Sequence, residues 1–195
     1  MIDNKSRCTW PTNDALMIDY HDNEWGVPVH DDRKFFEFLV LDTFQAGLSW
    51  RIVLHKRKAF AKAFANFDPK KVTKFDQRVI GSLQNDVGII RNKLKIAATV
   101  TNASAFLNIQ KEFGSFADYI WRFTDQRVKI NRWRKDSDIP ASTRESDAMS
   151  LDLKKRGFKF VGSTICYAFM QAAGLVNDHL ISCYRYEQLK KNWSR

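Results

Sequence analysis

Apolar residues recur three and four positions apart through much of this chain: Phe35 to Leu41, Leu48 to Phe64, Ile89 to Leu107, Phe116 to Phe123, Leu151 to Leu153 and Ile165 to Val176. That spacing lays one apolar stripe along a 3.6-residue helix, and the alternation expected of strands is scarce, so the pattern predicts an all-α fold. Pro11, Pro28, Pro69 and Pro140 stand at segment edges, where proline begins or punctuates helices. Two helix starts carry their own chemistry. Asp68-Pro69 sets proline just inside a helix, and Ser142-Thr143-Arg144-Glu145 reads as a capping box. The basic run Lys129 to Lys135 reads as a surface connection. With no repeat, low-complexity tract or Gly/Ser linker, the pattern predicts one domain over residues 1–195.

Composition changes the picture in one respect. Thirty-two Lys and Arg against 22 Asp and Glu give a net charge of +10, which suits a polyanionic partner, nucleic acid or an anionic membrane. Six Trp and 15 Phe add faces able to stack on bases, although most must fill the core. The stretch Met1 to Trp10 is polar, unlike a secretion signal, and no run approaches the ~18 apolar residues of a membrane helix, so a cytoplasmic protein without a membrane partner is expected. Three cysteines in that compartment argue against a disulfide framework.

Cys8 and His21 lie near one end of the chain, and His179 and Cys183 near the other at a spacing of four, which puts the latter pair on one face of a helix. Two thiolates and two imidazoles suit tetrahedral zinc, which here would staple the two ends together. The same residues also read as buried small hydrophobes and hydrogen-bonded histidines. Cys166, inside an apolar helix with no His at helical spacing, reads as core. Between Lys154-Lys155-Arg156-Gly157 and Gly162-Ser163-Thr164 a short basic turn separates a polar helix from an apolar one. It reads either as a helix-hairpin-helix that grips a phosphate through backbone amides, aided by Lys159, or as an ordinary corner with a solvated basic rim.

Taken together, Tyr20-His21-Asp22-Asn23-Glu24-Trp25-Gly26-Val27-Pro28, Gln45-Ala46-Gly47-Leu48-Ser49-Trp50 and Lys154 through His179 resemble the DNA-3-methyladenine glycosylase I family, with Arg7-Cys8, Trp10, Gly88-Ile89-Ile90-Arg91 and Cys183 extending the match over nearly the whole chain. The resemblance implies the helix-hairpin-helix glycosylase fold, a structural zinc ion on Cys8, His21, His179 and Cys183, and a base pocket of Tyr20 and Trp50 with Trp25 and Trp10 nearby. It also implies a wedge of Gly47 and Leu48, and DNA contacts from the hairpin residues Lys159, Phe160, Gly162, Ser163 and Thr164. The partner implied is double-stranded DNA carrying an alkylated purine, bound by a monomer that flips the base and hydrolyses its N-glycosidic bond.

Three positions depart from the family. Asp42 stands where the family has Glu as the carboxylate contacting the base; taken without the resemblance, it reads as a solvent-exposed residue near a helix end. Phe44 and Met17 occupy pocket positions where polar or aromatic residues are expected. These departures leave a second reading open, a protein of the same fold that binds alkylated DNA with little catalysis or with altered base preference. Thr164 fills the position at which bifunctional relatives carry a nucleophilic Lys, so no lyase activity is expected. Asp178, beside His179, reads first as a support for that ligand and second as a catalyst.

Overall fold

The computed structural model describes residues 5–192; the first four residues of the polar opening stretch and the last three of the chain lie outside them. Eleven α-helices are described: α1 (Ala15–Asn23), α2 (Asp32–Gln45), α3 (Trp50–His55), α4 (Arg57–Ala63), α5 (Pro69–Val72), α6 (Gln77–Asn85), α7 (Lys93–Phe113), α8 (Phe116–Ile120), α9 (Arg144–Lys155), α10 (Ser163–Ala172) and α11 (Tyr184–Asn192). None of them is long and apolar enough to cross a membrane.

The architecture follows from α2. Every residue from Phe38 to Phe44 is buried, as are Phe35 and Phe36, so this helix is surrounded and not merely docked by one stripe. It packs against α3, α4, α7, α8 and α10. One consequence is chemical: Asp42, on the last turns of the central helix, is only 2% exposed. The expectation of a solvated Asp42 fails because α2 has no solvent-facing side there. Lys95 of α7 finishes the helix, its Nζ donating to the carbonyls of Phe44 at 3.0 Å and Ala46 at 2.6 Å, which satisfies orphan acceptors at the C-terminal end.

Local chemistry sets the helix starts. Asp68 caps α5 ahead of Pro69 as expected, whereas the capping box of α9 is shifted by one residue. Thr143 is the N-cap and exchanges hydrogen bonds with Ser146, leaving Glu145 to pair with Lys129. The basic run is more than a surface connection. Lys129–Ile130 forms a two-residue strand, β1, parallel to β2 (Val176–Asn177), so the fold carries one short ladder that an all-α reading omits. The apolar run ending at Val176 therefore stops being helical at Ala172. Gly174 breaks it: at φ +71°, its missing Cβ would lie 2.3 Å from the backbone nitrogen of Pro28. Only glycine admits this contact, which brings the 24–29 segment onto the end of α10, with Gly26 N–H donating to Gln171 O and Val29 N–H to Ala173 O.

Candidate functional site

A cavity of about 580 Å³ opens between α1, α2, α3, α10 and the 136–139 turn. The α1 helix starts on Asp14, whose carboxylate accepts the amides of Leu16 and Met17, and it sends Met17 and Tyr20 inward one turn apart. The same three-residue spacing on α2 delivers Asp42 and Gln45, and α10 adds Ala168, Gln171 and Ala172. Trp10 and Trp25 come from the flanks of α1, and Trp50 opens α3. The rings form one aromatic wall: Tyr20 and Trp50 stand 5.0 Å apart between centroids, Trp10 and Tyr20 6.2 Å, and Trp10 and Trp25 5.2 Å.

Among the described residues that line the cavity, four polar side-chain atoms are buried without a hydrogen-bond partner: Asp42 Oδ2, Trp10 Nε1, Trp50 Nε1 and Asp136 Oδ1. Buried polar groups are nearly always paired in native proteins, so a convergent unpaired set marks a place prepared for a ligand's own polar atoms. Burial raises the carboxyl of Asp42 well above the ordinary range, and no cation among the described residues of the wall counters that effect.

Phe44 does not join the cavity. Its ring packs 4.7 Å from Phe60 and 5.9 Å from Phe64, on the opposite side of α2, because residues two apart on a helix point about 200° from one another. Met17 does line the cavity, as do Trp10, Tyr20, Trp25, Asp42 and Trp50. Beyond the mouth, Gly47 at φ +80° turns the chain between α2 and α3, and Leu48 stands 39% exposed.

Next to the aromatic wall, Cys8, His21, His179 and Cys183 converge with their ligand atoms within 4.8 Å of one another. Tetrahedral zinc at about 2.3 Å from sulfur and about 2.0 Å from nitrogen separates thiolate and imidazole atoms by about 3.5 Å. Cys183 Sγ is 3.5 Å from His21 Nε2 and 3.6 Å from His179 Nδ1, and Cys8 Sγ is 3.6 Å from His179 Nδ1. The donor set and spacing fit that ion. The hydrogen bond with Cys8 and those with both imidazoles hold the Cys183 thiol far below its usual range, while the same bond and burial push that of Cys8 up.

Each imidazole is oriented by a partner on its other nitrogen. His21 Nδ1 lies 2.8 Å from Asp22 Oδ1, and His179 Nε2 3.0 Å from the carbonyl of Trp25. Asp22 is held by Arg7, and although burial opposes it, the bonds from Arg7 and His21 lower its carboxyl to about 2. These supports escaped the sequence reading, though Asp22 follows His21 directly. The expected helix for His179 and Cys183 is instead a turn preceding α11, closed by Cys183 N–H to Leu180 O and by His179 N–H to Asn177 Oδ1. Asp178 bonds to neither His179 nor Cys183. Its carboxylate accepts from Asn131, Trp133, Tyr167 and Gln171 at 2.6 to 2.8 Å, which occupies both oxygens and ties the 131–133 segment to α10.

The metal-type cluster and the cavity share residues. Trp10 packs 5.4 Å from His21, Trp25 packs 4.7 Å from His179, and Tyr20 is the neighbour of His21. Whatever holds the cluster therefore holds two walls of the cavity.

Between α9 and α10 the chain turns at Gly157, with φ +92°, a conformation that side chains resist. Phe158 and Val161 are buried and fix the base of the turn, while Lys159 and Phe160 project outward. Asn102 of α7 clamps it from behind, accepting from Lys159 N–H at 2.7 Å and donating to Lys159 O at 3.0 Å. Gly162 gives α10 no side-chain cap, and Thr164 is exposed at its first turn. The Ser163 hydroxyl is bonded within the protein, to Asp147 and Ser146.

These features agree with what the chain is similar to. Residues 10–186 match the methyladenine glycosylase family model. DNA-3-methyladenine glycosylase 1 of Escherichia coli K12 is 49% identical over 180 residues, covering 92% of this chain and 96% of that protein. A crystal structure of 3-methyladenine DNA glycosylase I superposes with a TM-score of 0.90 at 49% identity, over 92% of this chain and 98% of the other. A Tyr-to-Phe variant of 3-methyladenine DNA glycosylase I in complex with 3-methyladenine gives 0.89 at 33% identity, over 91% and 96%. A match of that extent, over a chain whose aromatic cavity and buried acid stand where the motifs lie, places this protein in the methyladenine glycosylase family.

Proposed function

We propose that this chain is a DNA glycosylase that extrudes 3-methyladenine from double-stranded DNA and hydrolyses its N-glycosidic bond. The observation that carries the reading is the aromatic cavity with Asp42 Oδ2 and the two indole N–H groups unpaired in its wall. In the nucleotide, N3-methylation leaves the base positively charged. Electron-rich faces such as Tyr20 and Trp50 attract such a ring by ~1–2 kcal/mol per desolvated contact. A buried acid gains most from a cationic partner, so Asp42 discriminates in the same direction.

The bond then needs little help. The C1′–N9 electron pair departs with the base and cancels its positive charge, water supplies the oxygen of the new C1′–O bond, and its proton passes to solvent. Asp42 contacts the base and steadies the charge that develops as the bond stretches. Relative to the Glu of the family, its arm is one methylene shorter, so that either the base sits about an ångström closer to α2 or a water bridges the two. Because Thr164, in the first turn of α10, fills the position at which bifunctional relatives carry a nucleophilic Lys, no amine stands there for a Schiff base, and the product is an abasic site.

Leu48, exposed on the Gly47 turn, fills the gap left by the base. The uncapped start of α10 and Lys159 grip the backbone phosphates without reading sequence. Zinc on Cys8, His21, His179 and Cys183 would act structurally, fixing Trp10 and Trp25 through the contacts already described. The experiment is release of free 3-methyladenine from methylated duplex DNA. Release is expected from the wild-type chain; tight, salt-sensitive DNA binding without release would instead favour a recognition protein of the same fold.

A further inference from the structure

The cavity holds a second carboxylate. Asp136 opens the 3-10 turn Asp136–Asp138 and lines the same cavity as Asp42 and Trp50. Its Oδ2 accepts the hydroxyl of Thr9, while its Oδ1 is shut off from solvent and has no hydrogen-bond partner. An acceptor left unmet in a protein interior is costly, and retention beside a cavity points to a donor that arrives with the ligand.

The turn is held by groups other than this carboxylate. Asp138 accepts the amides of Arg134 and Lys135 at 3.3 Å, Asn131 and Trp133 reach Asp178, and Ile181 N–H donates to Trp133 O at 2.9 Å. No cation in the cavity answers Asp136 either. Among the described residues lining it, Arg51 alone is cationic, and its guanidinium is bonded to Asp14 at 2.7 Å.

We propose that Asp136 is a specificity-determining residue, whose Oδ1 accepts an N–H of the extruded purine and whose carboxylate favours a cationic base over a neutral one. This rests on the glycosylase reading above. A hydrogen bond to a charged acceptor in such a setting corresponds to about tenfold or more in affinity.

The test uses tryptophan fluorescence titration of the full chain with two probes that differ by the N3-methyl group and the charge it brings, the permanently cationic 3,9-dimethyladeninium and the neutral 9-methyladenine, and reads how each variant changes the affinity for each. Asp136→Asn and Asp136→Ser should each weaken the cation about tenfold and the neutral probe, which offers an N–H but no charge, by clearly less, whereas Asp136→Glu should retain the preference for charge. Equal losses on both probes, or none on either, would overturn the proposal, and two charge-removing variants guard against one that fails to fold. Release of 3-methyladenine by the wild type is measured alongside. Release with no selective loss at Asp136 sinks this inference alone, while a wild type that neither releases the base nor binds either probe sinks the glycosylase reading with it.

Discussion

Replacing Asp42 by Asn should make the protein more stable and less active, and the two effects come from one cause. The side chain is 2% exposed, its Oδ2 has no partner, and burial drives its carboxyl well above the ordinary range. An acid whose folded-state pKa lies above its unfolded value destabilises the fold: the penalty is absent at a pH below the unfolded value near 3.9, grows as pH rises, and levels off past the folded pKa. Each pH unit in that window costs about 1.4 kcal/mol, which for a chain of this length is about 3 to 6 °C in Tm. Asn keeps the shape and never ionises. Thermal melts should therefore show Asp42→Asn matching wild type at pH 4 and exceeding it by at least about 3 °C at pH 7.5. Single-turnover excision of 3-methyladenine should fall about 10²-fold or more, the scale of losing one well-placed electrostatic group. Superimposable melts at every pH, or wild-type excision by the variant, would refute the picture of a desolvated functional acid.

Other perturbations separate the parts of the site. Trp50→Ala should lower excision more than tenfold while leaving affinity for undamaged duplex within about twofold by fluorescence anisotropy, because it removes a stacking face and no phosphate contact. Lys159→Ala should weaken duplex binding about equally across sequences and reduce the slope of log K against log salt by about one, as expected for one lost phosphate contact. Elemental analysis should find one zinc per chain; Cys183→Ser should lose it, lower Tm, and weaken base binding through the displaced Trp10 and Trp25.

How much of this was written in the sequence depends on the kind of element. Helix-borne pairs were open to reading: Met17 and Tyr20, or Asp42 and Gln45, lie three apart and had to share a face. The same rule excludes Phe44 once Asp42 faces the cavity, since two residues along a helix is more than half a turn. Strings such as Gln45 to Trp50 identified the wall without any periodicity. Asp136 could not be found that way. It sits in an irregular turn whose position depends on the β1–β2 ladder and on Asp178, contacts between segments some 45 residues apart that leave no local pattern. The pair His179 and Cys183 shows the converse: the spacing of four was read correctly as proximity, but a turn produced it instead of a helix. The burial of Asp42 had a signal, an acid within a helix apolar on all sides, which a stripe-based reading passes over.

The central claim is that Tyr20, Trp50 and Asp42 together receive one methylated purine, and a crystal structure with free 3-methyladenine addresses it directly. The account predicts the ring against the faces of Tyr20 and Trp50 with one edge within hydrogen-bond distance of Asp42 Oδ2. A base lodged elsewhere, or an empty cavity at a saturating concentration of ligand, would contradict it.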